Sequence, residues 1–492
     1  MTNVVDRAGV EHFDVLVVGA GLSGIAAGYY LQTQLPQKSY VILEGRGTLG
    51  GTWDLFRYPG IRSDSDMFTL GYSFRPWREK KSIADGPSIL AYMQDTAREF
   101  GIDRNIRFHQ RVQSASWSSD EARWTVDVLV GPDNQTKRYS CNFLYTCAGY
   151  YRYDEGYTPV FPGRDDFQGQ IIHPQHWPEN LDYRGKRVVV IGSGATAMTL
   201  VPSMSDDAEH VTMVQRSPTY VLSLPSVDRV ANKLRELLPL KTAGAIARWK
   251  QATLATAFYQ VSRRAPNAMR KILRKGLEVG LPADFDIDKH FNPQYAPWDQ
   301  RLCVIPDSDL FRAIRKGKVS IVTDRIRTFT KTGILLESGT ELPADIIVTA
   351  TGLQLLACGG ISVVVDGQAV DITKSLIYKG LMISDIPNFA LCAGYVNASW
   401  TLRAELSTNY VCRLLKHMDK HGYRRCVPRA NENTVGTRPL LDLSAGYVQR
   451  AADKFPKQAE KLPWYYPQNY FIDSAVMRLG KVDDGVMKFS AG

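Results

Sequence analysis

The sequence contains no C-x-x-C pair and no cysteine–histidine grouping at metal-ligand spacing. Its seven cysteines (Cys141, Cys147, Cys303, Cys358, Cys392, Cys412 and Cys426) are scattered and odd in number. That excludes a disulfide framework and a structural zinc site, and fits free thiols in a reducing compartment. No metal is expected. Apolar runs that could form a membrane span of about 20 residues are missing too. The longest, after Asp14 and after Asp385, are short and broken by Gly, Asn or Ser. Asp6, Arg7 and Glu11 stand where a leader would be apolar, so a cytoplasmic protein is expected. Charged residues are 22% and hydrophobic ones 44%, proportions that leave disorder, collagen and coiled coil aside. Acids are scarce in one place. Between Arg229 and Lys275 a single acid, Glu236, stands among twelve Lys and Arg, and this stretch accounts for the net charge of +10. The 492 residues suffice for about three units of roughly 150 residues each, with a large core.

What is present is a strand–turn–helix pattern, twice. Residues 14–31 read DVLVVGAGLSGIAAGYYL. The unbroken apolar run Val15–Val18 predicts a strand buried on both faces. The small residues after it predict a tight turn and a closely packed helix. Gly19, Gly21 and Gly24 form G-x-G-x-x-G: the first permits the turn, the second lets backbone approach a pyrophosphate, the third lets helix and strand touch. Ser23 lies in the helix's first turn, where N–H groups and the helix dipole favour an anion. Glu44 ends the next strand, twenty residues past Gly24, placed to accept from ribose hydroxyls.

The second copy, RVVVIGSGATAMTLV, begins at residue 187. Gly192, Ser193, Gly194, Ala195, Thr196, Ala197 and Met198 carry a G-x-G-x-x-A loop into a helix. The following strand ends in Gln215-Arg216-Ser217 rather than in an acid. An acid would repel a 2′-phosphate, whereas Arg216 and Ser217 would bind one, which favours NADPH over NADH. Two dinucleotide sites in one chain imply electron transfer between them, in the usual pairing FAD first and nicotinamide second. Disulfide reductases share this plan but need a redox-active cysteine pair, which is missing; O₂ is the obvious acceptor.

The fold expected is α/β, with two Rossmann-type dinucleotide-binding domains and a helical insertion. Residues 1–155 and 385–492 are assigned to the FAD domain, 156–225 and 301–384 to the NADP domain, and 226–300 to the insertion. Two more strands, in FLYTCAGYY (143–151) and ADIIVTATGL (344–353), end in small residues that let backbone meet a ligand.

Between the two loops, Phe167, Gly169, His173, Trp177 and Pro178 match F-x-G-x-x-x-H-x-x-x-W-P. That is the fingerprint of type I Baeyer–Villiger monooxygenases. GGTWDLFRYPGIRSDSD (50–66) and NPQYAPWDQRLCVIPDSDLFRAIRKGKV (292–319) agree with it, so the resemblance covers nearly the whole chain. It is strongest to the ethionamide-monooxygenase-like branch, through GYYRYDEGY and HPQHWPE. Tyr151 departs from the pattern, standing where Trp is typical.

The resemblance implies an NADPH-dependent flavin monooxygenase that inserts one oxygen of O₂ into a hydrophobic ketone through a C4a-peroxyflavin, giving an ester or lactone. It implies that Arg301, in PWDQRLC, is the active-site arginine, and Asp64, in RSDSD, the acid that orients it. Thr52, Trp53, Asp54, Leu55, Asp64 and Val112 resemble FAD contacts; Arg62 and Ser63 resemble NADP contacts. His173 reads as a hinge residue bonded to backbone between the domains and His176 as its partner or an exposed residue; neither reads as a proton carrier. An alternative reading is oxygenation of sulfur or nitrogen in sulfides, thioamides or amines. A non-catalytic flavoprotein is disfavoured by the intact Arg301 and Asp64.

The basic stretch interleaves its cations with Leu, Ile, Trp249, Phe258 and Tyr259, as amphipathic helices do. No nucleic-acid recognition motif accompanies it. Two readings stand: a solvated outer face of a cap over the substrate site, or a peripheral contact with an anionic membrane.

Overall fold

In a computed structural model, residues 4–5, 9–431, 434, 436 and 438–491 are described. The strand Glu11–Val18 lies between Tyr40–Leu43 and Gln135–Thr146, parallel to both. Flanked on both sides and covered on both faces, Val15, Leu16 and Val17 are wholly buried, which accounts for the unbroken apolar run. The helix Leu22–Gln34 follows, buried from Leu22 to Gly28. A Cβ on Gly24 would come within 1.8 Å of the Gly19 carbonyl oxygen, and one on Gly28 within 2.7 Å of Ile102. Helix and strand therefore touch only because these positions lack side chains. The long helix Trp400–His421 packs over this first helix.

The first sheet continues through Arg123–Val130 and Gln110–Ser118 as an antiparallel meander. It ends in Ser362–Val365, which pairs parallel to Gln110–Ser118 and antiparallel to Gln368–Ala369. This corrects the expected domain boundary, since residues up to 384 were assigned to the second unit. The physical reason is burial: Ile361 and Val363 join the core of Trp117, Trp124 and Val126 on the first sheet.

The second sheet is wholly parallel, in the order Val319–Thr323, His210–Gln215, Arg187–Ile191, Ile346–Thr349, Gln170–Ile172. The chain leaves the first unit through Tyr151–Gly156 and returns through Leu353–Leu355. These two linkers pair antiparallel with each other.

The insertion forms the helices Arg229–Leu237, Leu240–Arg264, Pro266–Gly280 and Ile287–His290. Its flanking strands, Val221–Leu224 and Cys303–Pro306, pair parallel, so it leaves and rejoins the second unit at one place. Arg248, buried, clamps the long helix to the first unit. Its guanidinium donates to the carbonyls of Phe68, Thr69 and Gly71 and to the Glu405 carboxylate. Among the described residues, no helix is long and apolar enough to cross a membrane.

Candidate active site

The first glycine loop is locked from below. Gly19 has φ +98°, and a Cβ there would meet the Cys147 carbonyl at 2.8 Å. The Glu44 carboxylate accepts the Ala20 N–H at 2.8 Å and the Arg46 N–H at 2.9 Å. Glu44 thus holds the loop's shape besides facing it. Burial pushes its pKa up, against those two N–H bonds. The turn at residues 50–55 packs against the loop, with Gly50 N–H bonded to the Ala20 carbonyl at 3.1 Å. Thr52 stands 3.5 Å from the Tyr153 hydroxyl, and Trp53 and Leu55 are half-buried. Asp54 is buried and accepts from both Arg46 and Arg57. Arg46 keeps a second terminal nitrogen, Nη1, buried and unpartnered among the described residues. Val112 is buried in the strand beyond. Ser23 spends its hydroxyl inside the protein, accepting from Trp400 Nε1 at 2.7 Å and Cys392 Sγ at 3.3 Å.

In the second loop two glycines behave differently. Gly192, at φ +132°, would place a Cβ 2.3 Å from the Ala350 carbonyl oxygen, so the fold itself demands glycine. Gly194 has ordinary extended backbone (φ −79°), and a Cβ there would meet nothing within 4 Å. Nothing inside the protein requires glycine at 194, and its backbone lies open to a group approaching from outside. Ala197 and Met198 are buried, Ala195 is half-buried, and the Thr196 hydroxyl faces Tyr58. Ser193 donates to the Ser217 carbonyl at 3.3 Å, tying the loop to the strand end that bears Arg216. Arg216 and Ser217 are exposed, and Arg216 has no ion pair among the described residues. Arg62 bonds Asp309 at 2.6 Å and the Met198 carbonyl at 3.4 Å, which pins it to the second loop's helix. Ser63 is buried and caps the Ser65 N–H. With Arg46 Nη1 at the first loop and the open approach to Gly194 at the second, the residues present fit two dinucleotides.

Between the units, Arg301 Nε lies 3.7 Å from Asp64 Oδ2, beyond direct hydrogen-bond reach but within ion-pair range. Arg301 enters just before the strand returning from the insertion; Asp64 comes from a loop of the first unit. The side chains are 36% and 15% exposed, so the cation faces the opening and the acid backs it. Burial works most strongly against the Arg301 charge, but Asp64 together with Tyr150, Tyr447 and Tyr151 outweighs it, and the guanidinium is held above its ordinary value. For Asp64 burial dominates and raises the pKa, with Arg301 and then Arg62 opposing. Tyr150, Tyr151 and Tyr447 surround the pair. The Tyr150 ring stands 5.0 Å from that of Trp400, beside an apolar cavity lined also by Ala357, Leu391 and Leu440. The sequence motifs did not single out Trp400, Tyr150 or Tyr447. Trp400 carried one usable signal, the small-residue turn CAGYVNASW between a strand and a helix.

The fingerprint acts on the linkers. His173 Nδ1 accepts the Gln175 N–H at 3.2 Å, so Nε2 bears the proton and donates to the Gly352 carbonyl, also 3.2 Å away. Gln175 donates to the carbonyls of Arg152 and Tyr153, and His176 bonds that of Asp154 at 3.1 Å. Both linkers are thereby fastened to the second unit.

Two Rossmann units joined by a paired linker, with an arginine–carboxylate pair between them, define a flavin monooxygenase of the two-dinucleotide-domain type. The comparisons agree. Residues 76–233 match the family described as flavin-binding monooxygenase-like, and residues 17–78 an NAD(P)-binding Rossmann-like domain. The chain is 54% identical over 481 residues to the FAD-containing monooxygenase EthA of Mycolicibacterium smegmatis, covering 98% of this chain and 97% of that one. Among solved structures, an oxidised steroid monooxygenase bound to NADP superimposes with a TM-score of 0.77 at 24% identity, covering 98% of this chain and 100% of that one. An open structure of cyclohexanone monooxygenase gives 0.76 at 21%, covering 97% and 99%. The chain belongs to the EthA-like FAD-containing monooxygenases.

Proposed function

We propose that this enzyme is a Baeyer–Villiger monooxygenase: ketone, O₂, NADPH and a proton give ester or lactone, NADP⁺ and water. The observation that carries the reading is the Arg301–Asp64 pair at the opening between the units. When bound, FAD and NADPH supply the redox chemistry, two electrons from the nicotinamide and transfer of one oxygen atom from O₂. The first glycine loop, Glu44, Arg46 and the 50–55 turn would hold FAD. Gly192–Met198, Arg62, Arg216 and Ser217 would hold NADPH.

Oxygen insertion beside a carbonyl builds negative charge on the ketone oxygen. Such charge needs a fixed cation in a site poor in water. A guanidinium keeps its proton at any working pH, so Arg301 offers charge and hydrogen bonds without neutralising an anionic oxygen donor. Asp64 sets its direction from behind. Tyr150, Tyr447 and Trp400 wall the site with aromatic surface suited to a small hydrophobic substrate. The 167–178 fingerprint and the likeness in fold to a steroid monooxygenase and to cyclohexanone monooxygenase support the same reading.

A second reading, oxygen transfer to sulfur or nitrogen, is supported by the ethionamide-monooxygenase-like segments GYYRYDEGY and HPQHWPE. The test is NADPH consumption with panels of ketones and of sulfides, with products identified by mass. Ester formation with ketones is expected. Sulfoxide formation with no ester from any ketone would replace the first reading by the second.

A further inference from the structure

Ten of the fifteen large apolar side chains that are exposed among the described residues lie within residues 224–279. Their arrangement is regular. In the helix Leu240–Arg264 the inward side holds Ala243, Ala247, Arg248, Ala252 and Ser262. Thr242, Ile246, Trp249, Thr253, Ala257 and Val261 follow one another at helical spacing on the opposite side, with Leu254 beside them. Trp249 is 63% exposed, Leu254 56% and Val261 47%. From Ile246 to Val261 this outer stripe runs about 22 Å at 1.5 Å per residue, and the one cation on it, Lys250, is paired with Asp228. The next helix adds Ile272 and Val279, 59% and 78% exposed. Of the interleaved aromatics, Phe258 packs inward and Tyr259 stacks edge-on against Trp298, so Trp249 alone of the three belongs to the outer stripe.

The cations of the same segment divide into two groups. Lys233, Arg235, Arg248, Lys250, Arg263, Arg270 and Arg274 are spent on protein partners. Arg229, Lys241, Arg264, Lys271 and Lys275 are exposed and have no ion pair among the described residues. An apolar stripe without an unpaired charge, bordered by unpaired cations, is suited to an interface where hydrocarbon meets anionic headgroups.

We propose that the outer face of the insertion docks on an anionic lipid surface, with Trp249 and its stripe entering the headgroup boundary. Charge complementarity selects this occupant over a second copy of the chain. Pairing two such faces would bring their unpaired cations together, and the two acids within residues 229–279 are already engaged, Glu236 by Lys233 and Glu278 by Arg274. The proposal is independent of which substrate the enzyme oxidises.

The experiment is co-sedimentation of the FAD-loaded, full-length protein with vesicles of phosphatidylglycerol and phosphatidylcholine, and with phosphatidylcholine alone. Binding is expected to the anionic vesicles at low salt, and to fall at least tenfold in 0.5 M salt because surface attraction is screened. Trp249→Ser with Ile246→Ser should weaken it, as should Lys271→Glu with Lys275→Glu. Both double variants should keep FAD, the far-ultraviolet spectrum and turnover of a water-soluble substrate; these positions are exposed, and a variant that loses FAD is replaced by Lys271→Gln with Lys275→Gln. No binding to anionic vesicles at low salt overturns the proposal. So does equal binding to both vesicle types, or a concentration-dependent dimer that Trp249→Ser abolishes.

Discussion

His173 donates its Nε2–H to the Gly352 carbonyl, so a residue of the second unit holds the linker that leads back to the first. The bond explains why a histidine so regular in the fingerprint need not touch substrate. Burial holds its imidazole below the ordinary value of 6.5. The folded state therefore binds this proton less readily than the unfolded one, and stability falls as pH drops below about 6.5. His173→Gln should be less stable than the parent at pH 7.5. The gap between their thermal midpoints should narrow at pH 5.5, because the variant lacks this titration. A gap that widens on acidification would contradict the assignment.

Gly192 and Gly194 separate the needs of the fold from the needs of the cofactor. Gly192→Ala meets positive φ and the Ala350 carbonyl, and should cost at least about 1–2 kcal/mol of stability. Gly194→Ala enters open space. It should leave the thermal midpoint nearly unchanged while raising the KM for NADPH. Thermal melts and steady-state kinetics on the two variants check this, and a destabilised Gly194→Ala with normal KM would refute it.

Arg216→Ala should raise the KM for NADPH about 10- to 150-fold, the loss of one charge-assisted phosphate contact of about 1.5–3 kcal/mol. The KM for NADH should change little. Equal effects on both nucleotides would remove Arg216 from the 2′-phosphate site.

Some of this site was legible in the sequence because it is local. A glycine loop needs its neighbours along the chain, and Gly19–Gly24, Glu44 and the 167–178 fingerprint all lie in short contiguous segments. The misplaced boundary has the opposite character. Ser362–Val365 is a four-residue strand whose partner, Gln110–Ser118, lies some 250 positions away, and nothing in SVVV says which sheet it will join. Arg248 reads in the sequence as one more cation of the basic stretch, and nothing beside it shows that Glu405 and three carbonyls will bury it. The Ser23 hydroxyl accepts from Trp400, 377 residues further on, a contact that no local motif could show.

Asp64→Asn keeps the shape of the side chain but leaves Arg301 without its counter-charge. FAD content should be unchanged and ester formation should fall by about ten- to a hundredfold, the range expected when one preorganised electrostatic contact is weakened. Product yield per NADPH consumed is the readout. An unchanged yield would show that Asp64 does not position Arg301.

The most direct measurement of the central claim is turnover of a ketone under ¹⁸O₂ with NADPH, by the parent enzyme and by Arg301→Ala, both loaded with FAD. The parent should form ester carrying one ¹⁸O for each molecule of product. The variant should retain FAD and form little or no ester. Near-normal labelled ester from Arg301→Ala, or no labelled ester from the parent with any ketone, would contradict the account.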